Sequence, residues 1–213
     1  MHGLMMDTPL LITGIMQFAD RNFPSAEVVS VTFDDPRHRC TYGDVFRRAR
    51  QLANALEAAG VRPGDRVATL AWNDYRHVEL YFAVSCMGAV LHTVNPRLFP
   101  EQLEYIINHA EDKLLFIDPT LLPALGPLEG KIPTVEKLVV MTRAASLPAA
   151  VAGKLEDYES FIAGQPEQYA WPALDDLRRA NDARLAAVPA DFSRAAERLA
   201  DLVESAVGKE PAA

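Results

Sequence analysis

The sequence predicts an α/β fold: a mostly parallel, doubly wound sheet with a helical C-terminal extension. Three observations carry this expectation. Residues 67–72 and 89–94 are short apolar runs of strand type, and residues 75–87 between them have helical spacing, so 64–98 reads as one βαβ unit. Residues 113–118, Lys-Leu-Leu-Phe-Ile-Asp, are a continuous apolar run of the kind buried on both faces of a parallel sheet. Strand and helix signals alternate along the rest of the chain, and such alternation folds as parallel strands joined by right-handed crossovers.

Taken in order, residues 8–23 place Leu11, Ile12, Ile15, Met16, Phe18 and Ala19 on a helical stripe that starts beside Pro9 and stops before Pro24, which predicts a docking helix. Residues 28–33 are β-rich, 34–38 turn-like, and 39–42 return as a second short strand, giving a hairpin. Thr41 followed three residues later by Asp44 predicts a capping box. It opens the stripe Val45, Ala49, Leu52, Ala53, Leu56 and Ala59, which ends at Gly60. Pro63-Gly64 then turns the chain into the βαβ unit. Asn95-Pro96 breaks its second strand, and Pro100 starts a helix with Leu103, Ile106, Ile107 and Ala110 on one side. Beyond 113–118 come a Pro- and Gly-rich passage to Pro133, a strand over 137–142, a loop, and a short helical piece around 155–163.

The chain has 213 residues, a formal charge of -8 and 23% charged residues. No basic stripe offsets the acidic balance, so nucleic acid is excluded as an expected partner. Cys40 and Cys86 are too few and too far apart for a disulfide framework or a zinc site, which points to a reducing compartment and hence the cytoplasm. The N-terminus lacks the charged start of a signal peptide, and the longest apolar stretch, 80–91, is too short to span a bilayer.

Groups that could carry chemistry are sparse. Open α/β sheets bind ligands off the carboxyl ends of their strands, and Asn73, His92, Asn95 and Arg97 fall near such ends. Each also has a plain structural duty. Asn73 can cap the following helix, Asn95 can fix the turn before Pro96, Arg97 can be a solvated charge, and His92 can be a hydrogen-bonded strand histidine. His77 and Glu79 lack the H-E-x-x-H spacing that holds zinc and read as a helix-surface pair. Ser85 and Cys86 fall inside a helix and not in a nucleophile elbow, and Asp118 ends a strand and can cap the next helix. The expectation is no catalytic residue and no metal ligand.

At Thr41-Tyr-Gly-Asp, Gly64-Asp-Arg-Val-Ala, Trp72-Asn73, the run Gly88-Ala-Val-Leu-His-Thr-Val-Asn-Pro-Arg-Leu98, and Asp118, the chain resembles the start of an acyl-CoA synthetase of the adenylate-forming superfamily. The wording is nearest the bacterial medium- and long-chain fatty acyl-CoA ligases and covers about residues 4–174. The resemblance implies a reaction that joins a carboxylic acid to AMP from ATP and then passes the acyl group to coenzyme A. ATP, magnesium, coenzyme A and a fatty acid are thus implied for the family, while none is expected to act with this chain alone. The family's phosphate loop, of the form T-S-G-T-T-G-x-P-K-G, has no counterpart in these 213 residues, nor do G-x-x-x-x-G-K-[ST] and G-x-G-x-x-G. Also missing are the acidic residue that holds the ribose and the lysine of the C-terminal domain.

After Tyr169-Ala-Trp-Pro172 the family resemblance ends, and residues 177–207 are Ala- and Arg-rich with two helical stripes separated by Pro189. Two parts follow: 1–174, a partial acyl-CoA synthetase-like N-terminal subdomain, and 175–213, a helical tail of unrecognised origin. Truncation or frameshift, fusion, and a divergent remnant all fit this join. The expected function is that of a fragment or remnant of an ATP-dependent fatty acid–CoA ligase, inactive alone. The alternative is an interaction or oligomerisation module that self-associates through exposed sheet or the tail helices.

Overall fold

The computed structural model describes residues 11–174, and the tail stripes expected over 177–207 lie outside them. Helix α1 (Ile12–Asn22) leads into an antiparallel hairpin, β1 (Glu27–Ser30) and β2 (His38–Thr41), with Glu27 opposite Thr41. Helix α2 (Tyr42–Ala58) starts at the expected capping box. Thr41 Oγ1 accepts from the Asp44 amide at 3.2 Å, and the Thr41 amide donates to Asp44 Oδ2 at 3.1 Å. The helix ends where Gly60 takes a φ of +89°, a conformation that side chains resist.

The βαβ unit follows as β3 (Arg66–Leu70), α3 (Tyr75–Cys86) and β4 (Val90–Thr93). Next come α4 (Pro100–Ala110), β5 (Asp112–Ile117), β6 (Lys137–Val140), the two-residue β7 (Glu156–Asp157) and α5 (Tyr158–Ile162). The five strands β3 to β7 are all parallel, in the order β4-β3-β5-β6-β7. Alternation of side chains sorts the core between the two faces. Val67, Leu114, Phe116 and Val139 meet Leu52, Leu56, Leu80, Val84 and Phe161 of α2, α3 and α5 on one side. Ala68, Leu70, Leu115, Ile117 and Val140 meet Leu103 and Ile107 of α4 on the other. Helices on both faces explain why β5 is apolar from Leu114 to Ile117. Each fully buried Leu or Phe contributes about 1.5–3 kcal/mol.

Three expectations are corrected. The α1 stripe is not buried as a whole. Met16 is 1% exposed, against 65% for Ile15 and 61% for Phe18, because the sector turned inward runs through Met16 and Thr13, at one margin of the apolar stripe. Asn73 does not cap α3. The next residue, Asp74, does so, its carboxylate accepting from the His77 amide at 2.9 Å, while Asn73 stays exposed. His77 and Glu79 are not a surface pair, since both are buried. The Pro- and Gly-rich passage after β5, for its part, forms a 3-10 helix over Pro119–Leu128, capped by Asp118. The fixed φ of its prolines suits this tight winding, and their missing donors prevent a longer α-helix.

Candidate functional site

The carboxyl end of the parallel sheet is the natural place for a site, and the backbone there is tied strand to strand. Asp118 N donates to Leu70 O at 3.0 Å, Met141 N to Ile117 O at 2.8 Å, and Val94 N to Thr69 O at 2.8 Å. On this rim Trp72 Nε1 donates to Thr120 Oγ1 at 3.0 Å, and Asp118 caps the 3-10 helix by accepting from Thr120 N at 2.8 Å. His77 is fixed in one role. Its Nδ1 lies 3.1 Å from Trp72 O and must donate there, leaving Nε2 to accept from Thr69 Oγ1 at 3.0 Å. Burial lowers its pKa and keeps the ring neutral.

Behind the rim lies a cluster of ionisable groups from parts of the chain far apart in sequence. Glu79, wholly buried, accepts from Arg48 Nε at 2.7 Å and from Tyr158 Oη at 2.7 Å. Arg48 donates its other two nitrogens to Glu159 at 2.8 and 3.1 Å. Arg76 Nε reaches the same Glu159 at 2.8 Å and clasps Asp34 with two bonds of 3.1 and 3.0 Å. Asp34 also receives Thr142 Oγ1 at 3.3 Å and Arg143 Nε at 3.1 Å. The Tyr75 ring lies 4.8 Å from the Arg76 guanidinium and stacks on His38 with centroids 3.8 Å apart.

The electrostatics follow from burial and pairing. Burial raises Glu79 to about 7, against the pull of Arg48 and the Tyr158 hydroxyl. Burial raises Asp74 to about 6, helped by nearby Asp118 and opposed by the His77 amide. Burial works against the Arg48 and Arg76 cations, but Glu79, Asp34 and Glu159 more than offset it, so both are raised. Asp34, although burial raises it, is driven well below the usual carboxylate range by Arg76, Thr32 and Arg143.

Perturbed carboxylates in a cleft are candidate acids and bases. Here neither one is free to act: Glu79 is enclosed by Arg48 and Tyr158, and Asp74 is engaged as a helix cap. A hollow of about 250 Å³ opens beside the cluster, lined by His38, Cys40, Arg47, Arg48 and Tyr75 among others. Its arginines, Arg39, Arg47 and Arg48, are committed to Glu27, Asp44, Glu167, Glu79 and Glu159, and burial pushes the Cys40 thiol up to about 11, so it is no nucleophile at neutral pH. Among the described residues no group of three His, Cys, Asp or Glu could hold a metal ion. What the arrangement does is join the hairpin loop, α2, α3, the end of β6 and α5.

The residues singled out by sequence do not converge. Asn95 and Arg97 share the turn after β4, where Asn95 Oδ1 accepts from the Arg97 amide at 3.0 Å, as expected of a turn residue. Asn73 stands at the same end of the neighbouring β3, exposed. His92 points elsewhere: its Nδ1 lies 2.7 Å from Asp112 Oδ2 at the start of β5, at the opposite end of the strands. Of the cluster, sequence reasoning singles out only Glu79, and in another role, although a signal exists. Arg48 sits within the apolar stripe of α2, three residues after Val45 and four before Leu52. Arg76 and Glu79 fall likewise on the spacing of Leu80 and Ala83.

Comparison with known proteins bears on this arrangement. Residues 17–178 match the family model described as AMP-binding enzyme. The chain is 44% identical over 176 residues to a 3-methylmercaptopropionyl-CoA ligase of Ruegeria pomeroyi, covering 83% of this chain and 33% of that protein. It is 50% identical over 141 residues to a long-chain-fatty-acid–CoA ligase of Thermus thermophilus, covering 66% and 26%. Among solved structures, the anthranilate CoA ligase AuaEII in complex with anthranoyl-AMP superposes with a TM-score of 0.60 at 26% identity, over 74% of this chain and 28% of that one. The chain spans about a third of the length of the curated relatives it matches. No helix among the described residues is long and apolar enough to cross a membrane.

Proposed function

Because this chain belongs to the AMP-binding enzyme family, we propose that it is a fragment or remnant of an ATP-dependent fatty acid–CoA ligase. In this reading residues 1–174 are the N-terminal subdomain and residues 175–213 a separate helical tail. The subdomain serves as scaffold, and the 213 residues do not catalyse the reaction alone. The observation that carries the reading is the family match over residues 17–178. The geometry agrees with it. The charged groups behind the sheet rim are spent on one another, and electrostatic groups aimed at reacting atoms are usually the largest catalytic contribution. In the whole ligase, ATP with magnesium would activate the fatty acid as an acyl-adenylate, and coenzyme A would accept the acyl group. Here the side chains of Asn73, Asn95 and Arg97 stand at the rim where such ligands approach an open sheet, with His92 set back from it. The setting is cytoplasmic.

The test uses the purified chain with ATP, magnesium, coenzyme A and either octanoate or palmitate. Pyrophosphate is expected to stay at the level of a protein-free control, and release above it overturns the reading. A second reading, a non-catalytic interaction or oligomerisation module, is favoured by one observation: among the described residues no strand pairs with the outer edge of β4.

A further inference from the structure

We propose that residues 164–173 form a hinged strap, closed on α2 in the ground state, that opens as a unit about Gly164 and turns a fixed exit from the subdomain into a free tether. The inference does not depend on whether the chain catalyses anything.

The strap is held by one face of one helix. Arg47, Arg50, Gln51 and Asn54 stand at the i, i+3, i+4 and i+7 positions of α2, a single stripe on its surface. Gln51 Nε2 donates to Gln165 O at 3.2 Å, Asn54 Nδ2 to Pro166 O and Gln168 O at 3.0 Å each, and Arg50 Nε to Glu167 O at 2.8 Å. Arg47 meets the Glu167 carboxylate at 3.1 Å. Four successive carbonyls are thus bound, yet no amide from Glu167 to Trp171 joins a backbone carbonyl among the described residues. All of these side-chain contacts except that of Gln51 are exposed, so water replaces them at small loss when the strap lifts.

Packing beneath the strap is also incomplete. Tyr169 and Trp171, in edge contact with centroids 4.7 Å apart, are its half-buried anchors on the helix layer and hold it closed. Beside them a hollow of about 460 Å³ opens between the strap and Glu57, Val61, Arg62 and Met87, so this stretch forgoes the dense contacts of an interior. Upstream, α5 is locked by Tyr158 and Glu159 in the ionic cluster, which sets where the opening stops. Between lock and strap lies Gly164. Its φ is +72°, and no atom beyond its own neighbours lies within 4 Å of where a Cβ would stand, so no packing restrains the chain there. Opening frees ten residues, which span up to about 35 Å when extended.

A protease that cuts after glutamate reads the opening in the full chain. The Glu167–Gln168 bond can enter its active site only when the strap is off α2, and the rate then follows the open population. This bond is expected to be cut about 10- to 1,000-fold more slowly than in a free peptide of residues 161–174, as for a minor state populated at about 0.1–10%. Asn54→Ala, which removes two strap contacts, should speed the cut about three- to tenfold. Ile107→Val, buried on the other face of the sheet, should leave it unchanged although it weakens the fold as a whole. Cutting as fast as in the peptide overturns the proposal, since the strap would then not be docked. So does a bond that stays intact, or one that Ile107→Val exposes as readily as Asn54→Ala, because it would then be reached only by global unfolding.

Discussion

Replacing Glu79 by Gln should change stability in a pH-dependent way. In the folded chain burial raises Glu79 from an ordinary 4.5 to about 7. The folded protein therefore holds a proton there that the unfolded chain has already released. A carboxyl group raised in this way contributes stability that is fully present below pH 4.5 and is lost as the pH rises through 7. At about 1.4 kcal/mol per pH unit, the wild type loses about 3 kcal/mol from this group across that window. Glutamine is the neutral mimic. Its Oε1 can accept from Arg48 Nε while its amide donates to Tyr158 Oη, whose own hydrogen gives up its acceptor just as it does when Glu79 carries a proton on that oxygen. Urea unfolding at pH 5, 6, 7 and 8 should show Glu79→Gln near the wild type at pH 5 and gaining on it by up to about 3 kcal/mol by pH 8. A variant that instead loses ground as the pH rises would refute the reasoning, because it would mean that Arg48, 2.7 Å away, keeps Glu79 ionised throughout.

Two further outcomes follow from the same structure. Asp34→Ala removes the carboxylate that pairs Arg76, whose side chain is 3% exposed. Leaving that guanidinium half-partnered should cost about 3–5 kcal/mol in urea unfolding, and a loss below about 1 kcal/mol would show that the clasp is dispensable. Gly60→Ala places a Cβ no nearer than 3.7 Å from Lys113 Nζ, an ordinary contact. The cost of about 1 kcal/mol should then come from the φ of +89° alone and lower the thermal midpoint by a few degrees.

Much of the scaffold was legible because its signals are local. The Thr41–Asp44 box, the Gly60 stop, Pro100 at a helix start and the apolar run of 113–118 each specify an element without reference to the rest of the chain. The orientation of α1 was not legible, since Ile15, Met16 and Phe18 compete as inward residues and only the surfaces of α2 and α3 decide in favour of Met16. The choice of Asp74 over Asn73 as cap is a one-residue matter of where the chain leaves β3. The ionic cluster was hidden for a different reason. A buried charge is tolerable only beside its partner, and Arg48, Glu79 and Glu159 find each other across distances in sequence that no periodicity encodes. Reading polar residues on an apolar stripe as a demand for a partner would have flagged Arg48 and Glu79, though not named Tyr158 or Asp34.

That cluster also bears on time. Its bonds join residues 31 to 111 positions apart, so they close once the sheet and the helices of one face have brought those segments together. Contacts that form late on the way to the native state govern how fast it is left and hardly affect how fast it is reached. Arg48, Arg76, Glu79 and Asp34 thus act as a latch on the finished fold, setting the lifetime of the native chain.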